Sequence, residues 1–215
     1  MFGVSDGLVS NVSLVIGFAG SGAGAATVRL AGLAGLIAGA FSMAAGEYVS
    51  VAAQNELIER ELEVERRELE INPDLERAEL AARYMRAGVD PARAREVARE
   101  IMRDPETALA VHAREELGID PEGLGVPWRV ALFSFVAFAG GALAPVLPWF
   151  VGSGTGAGVA SVAIGIVAAA IVGTLIGRLS EKRVLRSALR QTLFLVVACS
   201  ATFAAGSLLG VSGGG

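Results

Sequence analysis

The sequence predicts an all-α integral membrane protein: five transmembrane helices, with a cytoplasmic helical insertion between the second and the third. Two observations carry that prediction. Of the 22 acidic residues, 19 lie between Glu56 and Glu122, and eleven of the 18 basic residues share the stretch from Arg60 to Arg114. The flanking regions are almost free of charge and rich in Gly, Ala, Val and Leu. A soluble domain of this size would spread its charges along the chain; segregation on this scale points to two solvents, lipid for the flanks and water for the middle. The expected organisation is residues 1–53 for the first two membrane helices, 54–125 for the acidic insertion, and 126–215 for the remaining three.

Five apolar segments define the spans, from about Val4 to Ala26, Val28 to Ala53, Val126 to Val151, Gly156 to Ile176 and Leu189 to Leu209. Each is close to the roughly 20 residues that a helix needs to cross a hydrocarbon layer of about 30 Å. In lipid the backbone must satisfy its own hydrogen bonds, so these segments are expected to be helical. Trp128 and Trp149 bracket the third. At the helical rise they stand roughly 32 Å apart, as a pair of interfacial anchors would. Pro145 and Pro148 are expected to kink its end. Glycines 32, 35, 39 and 46 on the second span, and 173 and 177 on the fourth, suit close helix packing. Cys199, the only cysteine, reads as a small buried hydrophobe.

Basic residues set the orientation. Arg178, Lys182, Arg183, Arg186 and Arg190 lie between the fourth and fifth spans, and Arg129 and the arginines of the insertion lie between the second and third. Five spans put both loops on one side, which gathers 17 of the 18 positive charges there and leaves Arg29 on the other. By the positive-inside rule the insertion is cytoplasmic, the N-terminus is inside, and the tail at Gly213 to Gly215 is outside. No cleavable signal peptide is expected, because the start lacks a basic region and Asp6 and Asn11 interrupt the first apolar run.

Within the insertion, Glu56 to Ile71 is expected to carry the second span out of the membrane as one helix. Asn72-Pro73 breaks it; further helices are expected over Leu75 to Arg86, from Pro91 to near Arg103, and from Pro105 to Gly118. Asp-Pro pairs at 90–91, 104–105 and 120–121 punctuate them. Eleven basic against 19 acidic residues leave this segment a net charge of −8. A polyanionic surface repels nucleic acid and attracts cations.

The carboxylates have a pattern. Glu65 and Glu68, and Glu76 and Glu79, are three apart, so each pair shares a helix face and could share a cation. His112, the only histidine, stands four residues before Glu116. Crowded like charges favour a bound divalent ion, in competition with protons. The alternative is a solvated, charge-laced helical surface. Among the spans, Asp6 opens the first, and Glu47 lies one turn beyond Met43 on the second. A carboxylate on a spanning helix usually faces a partner or a water path, although Glu47 could equally sit at the inner interface. No Walker loop, Gly-x-Ser-x-Gly or paired-cysteine site is present, so a hydrolase or ATP-driven pump finds no residues here.

Several motifs together are specific: Asp6-Gly7-Leu8-Val9-Ser10, the run Ala38-Gly39-Ala40-Phe41-Ser42-Met43-Ala44-Ala45-Gly46-Glu47-Tyr48, Glu116-Leu117-Gly118, and Gly140-Gly141 followed by Pro145-x-x-Pro148. Through them the chain resembles the vacuolar iron transporter family over essentially its whole length. The resemblance implies a homodimer of five-helix subunits with the ion path near the first helices. It also implies an acidic cytoplasmic domain that binds divalent metal, and transport coupled to protons. Carried over, the domain's ligands would be Glu65, Glu68, Glu76, Glu79 and Glu116, with His112 where plant members place a methionine. Asp6 and Met43 would line the path. Gly35 stands where plant and yeast members have a glutamate, which leaves open whether Glu47 takes over that role or the coupling differs. The chain begins almost at the Asp6 motif, so an N-terminal segment common in the family is expected to be absent or not included.

The expected function is therefore export of Fe2+ or Mn2+ from the cytoplasm by proton antiport, with Zn2+ or Co2+ weaker cargoes. No enzymatic activity, resident cofactor or nucleic-acid partner is expected. The membrane would be the plasma membrane of a bacterium or the vacuolar membrane of a eukaryote. The rival readings are a membrane-anchored iron-binding protein or ferroxidase using the glutamate cluster, and a structural bundle whose acidic domain docks a basic partner.

Overall fold

The structure is a computed structural model that describes residues 2–120, 123–181 and 183–210; Pro121, Lys182 and the glycines at 213–215 lie outside the described residues. Every regular element among them is helical. In chain order these are α1 (Phe2–Gly20), α2 (Ala25–Ile71), α3 (Pro73–Arg86), α4 (Pro91–Ile101), α5 (Pro105–His112), α6 (Pro127–Leu143), α7 (Pro148–Val151), α8 (Gly154–Leu179) and α9 (Val184–Leu209). A π-helical turn at Ala113–Leu117 follows α5, and a 3-10 turn at Ala144–Val146 separates α6 from α7. By length and composition, five segments could cross a membrane: α1, α2, the stretch Pro127–Val151, α8 and α9. The chain divides into two compact units, Met1–Tyr48 with Trp128–Gly215, and Val49–Pro127.

The first unit packs α1 against α8 and α9. Leu8, Val12 and Ile16 of α1 meet Ala169 of α8 and Leu195 and Cys199 of α9. A second core joins Val15, Val28, Val146, Trp149 and Ala157, and a third joins Ala40, Phe138 and Ala142, with Met43 against it. Small residues let backbones touch. A Cβ on Gly141 would come within 2.1 Å of the Val4 carbonyl oxygen, and one on Gly7 within 2.2 Å of the Phe138 carbonyl oxygen, so α1 and α6 approach at van der Waals distance only because both are glycine. Gly173 and Gly177 do the same for α8 against α9, facing the backbone of Ala188 and Val184. A Cβ on Gly32, Gly35 or Gly39 would meet the side chain of Val146, Leu14 or Phe138, whereas one on Gly46 would meet nothing within 4 Å among the described residues. Outward, the unit presents large apolar side chains such as Phe41, Phe133, Val151 and Leu189.

The third apolar segment departs from the expected pair of anchors. Trp128 is exposed, with the Arg129 guanidinium 5.6 Å from its ring centre. Trp149 is only 1% exposed; its indole N–H donates to Ser161 Oγ at 3.0 Å, and the Ser161 hydroxyl donates to the Pro145 carbonyl at 2.7 Å. It is therefore a core residue. The cause is local: Pro145 and Pro148 have no N–H to continue the α-helix, so the chain turns at 144–146 and carries Trp149 into the interior. Two carbonyls at this break accept from side chains of other helices, Pro145 from Ser161 and Ala142 from Asn11 Nδ2 at 2.6 Å. Asn11 Nδ2 also donates to the Gly32 carbonyl at 3.1 Å, so one amide ties α1, α2 and α6 together.

In the second unit α2 runs on without a break to Ile71, as the dense Glu, Leu and Arg composition from Glu56 onward favours. Asp90 caps α4 by accepting from the N–H groups of Ala92 and Arg93, and Asp104 caps α5 by accepting from Thr107 N–H. Each is followed by proline at the first helical position, where the missing N–H costs nothing. Leu80 and Ala81 of α3 pack on Ala98 of α4, with Tyr84, Met85, Ile101 and Val111 around them.

Candidate metal centre

Four side chains from separate parts of the second unit converge. Glu65 comes from the last turns of α2, Glu76 from the first turn of α3, His112 from the end of α5, and Glu116 from the π-helical turn. One ligand atom of each lies within 4.8 Å of every other. His112 Nδ1 is 3.1 Å from Glu65 Oε1, 3.6 Å from Glu76 Oε2 and 3.8 Å from Glu116 Oε1. Glu65 and Glu76 are buried and the imidazole is fully so. The π turn that carries Glu116 ends at Gly118, in the left-handed conformation (φ +65°).

The polar atoms here are not spent on one another. Glu65 Oε1 and both ring nitrogens of His112 are buried without a hydrogen-bond partner among the described residues. The 3.1 Å approach of His112 Nδ1 to Glu65 Oε1 is not a hydrogen bond. A buried polar group left unpaired costs about 1–3 kcal/mol, and Glu65 Oε1 and His112 Nδ1, unpaired and 3.1 Å apart, suit a ligand that accepts lone pairs. Octahedral shells with metal–ligand distances of about 2.1 Å place ligand atoms about 3 Å to 4 Å apart. The cluster is thus a small contraction away from a coordination shell. Three carboxylates and one imidazole could hold Mn2+, Fe2+ or, less selectively, Zn2+ or Co2+.

The electrostatics agree. Burial raises the Glu65 carboxyl from 4.5 to about 7, helped by the neighbouring charges of Glu116, Glu76, Glu68 and Glu79. Burial also raises Glu76, with Glu79, Glu116 and Glu68 adding to it. His112 is pushed down, first by burial; Glu116 and Glu79 pull it up, while Arg83 pushes it further down. At neutral pH the imidazole is a free base, as a metal ligand must be.

Two of the sequence candidates fall elsewhere. Glu68 and Glu79 are exposed and outside the four-residue cluster, acting on Glu65 and Glu76 through charge. Residues three apart on a helix are about 60° from each other around its axis. The inner face therefore takes Glu65 and Glu76 and leaves their partners at the rim. Arg83, which the pattern of carboxylates hid, does belong to this neighbourhood: its terminal nitrogen is 3.8 Å from Glu116 Oε1, and its Nε is buried without a hydrogen-bond partner among the described residues. The signal was its position on α3, two turns beyond Glu76 and one beyond Glu79.

In the first unit Asp6 is exposed, while Met43 and Glu47 are half-buried. Among the described residues no ion pair involves Asp6 or Glu47. Asn11, one helical turn beyond Gly7, is a buried polar residue of α1 that composition did not single out; its Oδ1 has no partner among the described residues.

Comparison with known proteins gives a single answer. Residues 1–207 match the VIT family. Vacuolar iron transporter 1 of Eucalyptus grandis is 31% identical over 204 residues, covering 94% of this chain and 82% of that protein. Vacuolar iron transporter 2 of Oryza sativa subsp. japonica is 33% identical over 209 residues, covering 94% and 83%. Vacuolar iron transporter 1 of Arabidopsis thaliana is 30% identical over 204 residues, covering 94% and 82%. With the match extending over nearly its full length, the chain belongs to the VIT family.

Proposed function

We propose that this protein moves divalent iron or manganese out of the cytoplasm in exchange for protons, capturing the ion at Glu65, Glu76, His112 and Glu116. The observation that carries the reading is the convergence of four ligand atoms within 4.8 Å, with three of the four residues buried and Glu65 Oε1 and His112 Nδ1 without hydrogen-bond partners among the described residues. Such an arrangement is costly when empty and is relieved by a divalent cation. The names of the relatives, all vacuolar iron transporters, fit a metal cargo. Oxygen-rich donors with one nitrogen admit Mn2+ as readily as Fe2+.

In this reading α1, α2, the Pro127–Val151 stretch, α8 and α9 are five membrane spans, supported by their length and by the outward apolar side chains. The acidic unit is cytoplasmic, by the basic residues that flank it. Glu68 and Glu79 form a charged rim that draws ions toward the cluster. Asp6, Met43 and Glu47 line the translocation path, with protonation of the carboxylates releasing the metal. The working unit is a homodimer in a plasma or vacuolar membrane, and it is a transporter without enzymatic activity.

The test is uptake of Fe2+ and Mn2+ into proteoliposomes with an imposed pH gradient. Flux that grows with the gradient and drops in Asp6→Ala supports proton-coupled transport through this path. Flux indifferent to the gradient leaves a facilitator, and absence of flux for every divalent ion refutes transport.

A further inference from the structure

Arg83 reaches the same cluster without being a ligand. It stands on α3 with Glu76 and Glu79, and its terminal nitrogen lies 3.8 Å from Glu116 Oε1, the oxygen that is also 3.8 Å from His112 Nδ1. Glu116 is therefore shared between a fixed cation and the other donors. The contact is a single long approach rather than a two-pronged clamp, and the guanidinium Nε–H is buried with no acceptor among the described residues. A planar guanidinium that matched a carboxylate would use two parallel bonds at about 2.7–2.9 Å. This one compensates charge at a distance and lets go easily. It is charged at every accessible pH, so its effect on the cluster is permanent.

We propose that Arg83 is a built-in competitor of the metal: a positioning residue that balances Glu116 while the cluster is empty, repels the arriving dication, and so keeps capture weak enough for onward release. This rests on the capture reading of the Glu65, Glu76, His112 and Glu116 cluster. A transporter needs such a device, because a site that holds its ion too tightly cannot pass it on. Four donors that include three carboxylates would otherwise bind a first-row dication with little tendency to let go.

The experiment is calorimetric titration of the full-length protein in detergent with Mn2+ at pH 8, comparing wild type with Arg83→Gln, Arg83→Met and Arg83→Lys. Because Arg83 is one third exposed, its field is partly screened, and the expected gain on removing the charge is about tenfold in affinity. Arg83→Lys keeps the charge and should stay within about twofold of wild type. In a Glu116→Gln background the gain from Arg83→Gln should shrink, since the two charges act on one another. Tighter binding is the decisive sign, because loss of a merely structural arginine loosens a site. Equal or weaker Mn2+ binding in both neutral variants, beside a wild type that binds, overturns the competitor role and leaves the capture reading standing. A wild type that binds no Mn2+ overturns both.

Discussion

If the cluster captures metal, binding must expel a proton, and the amount can be worked from Glu65. With its carboxyl at about 7 rather than 4.5, Glu65 is about nine-tenths protonated at pH 6 and about one-tenth at pH 8. Mn2+ binds the ionised form, so its apparent Kd should rise about tenfold from pH 8 to pH 6, or about 1.4 kcal/mol. A glutamate at its ordinary value would change the Kd over this range by only a few per cent. Burial moves His112 down, toward the free base that binds metal. The same shift acts on folding. The folded state of the metal-free protein holds a proton on Glu65 between pH 4.5 and about 7 that the unfolded chain gives up. Its stability is thus full below 4.5 and declines as the pH rises through about 7, by an amount on the order of 3 kcal/mol at 1.36 kcal/mol per unit. Added Mn2+ should abolish that decline. The assay is calorimetry of the full-length protein in pairs of buffers with different ionisation enthalpies, which counts protons released per Mn2+. Roughly 0.9 are expected at pH 6 and 0.1 at pH 8 from Glu65, and Glu65→Gln should flatten the dependence while weakening binding. Release of fewer than about 0.3 protons at pH 6, or the same release from Glu65→Gln, would refute the argument.

Three further outcomes follow from the geometry. His112→Ala deletes a fully buried ring and its donors, and should weaken Mn2+ binding at least tenfold and lower metal-free stability by about 2 kcal/mol, read by titration and thermal melting. Gly141→Ala places a Cβ 2.1 Å from the Val4 carbonyl oxygen; it should force α1 from α6 and sharply reduce the yield of monodisperse protein in size-exclusion chromatography, while Gly46→Ala, whose Cβ meets nothing within 4 Å among the described residues, should behave as wild type. Ser161→Ala removes the acceptor of the Trp149 indole and the donor to Pro145, and should cost about 1–3 kcal/mol and shift tryptophan emission; an unchanged melt and spectrum would count against the buried bond.

Much of this architecture is legible in the amino-acid order because two solvents impose two alphabets. The long apolar runs, the unbroken passage of α2 into the acidic stretch, and the Asp-Pro starts of α4 and α5 each rest on local rules that no tertiary contact overrides. The sequence also brings forward Glu65, Glu76, His112 and Glu116, because carboxylates and a lone histidine are conspicuous. It does not tell Glu65 from Glu68, or Glu76 from Glu79: both members of each pair share a broad helix face, and only the packing of α3 and α5 decides which one turns inward. Trp149 misleads for a related reason, since interfacial and core tryptophans look alike until the turn at 144–146 redirects the chain. Arg83 stays hidden among ten other arginines of the insertion, whose pairs, such as Arg66 with Glu63 and Arg103 with Glu100, lie exposed on the surface.

The proline break after α6 has a mechanical meaning. An interrupted helix in a transporter is readily taken for a hinge, a place where the chain bends as the protein cycles. Here the carbonyls of Ala142 and Pro145 are fastened by Asn11 from α1 and Ser161 from α8, and Trp149 is bolted to the same hydroxyl. Flexing at this point would strip each oxygen of its partner in a medium that offers no water to replace it. The interruption is thus a weld: residues 142–149, α1 and α8 move as one body, and the bending that carries an ion across has to be sought in other joints.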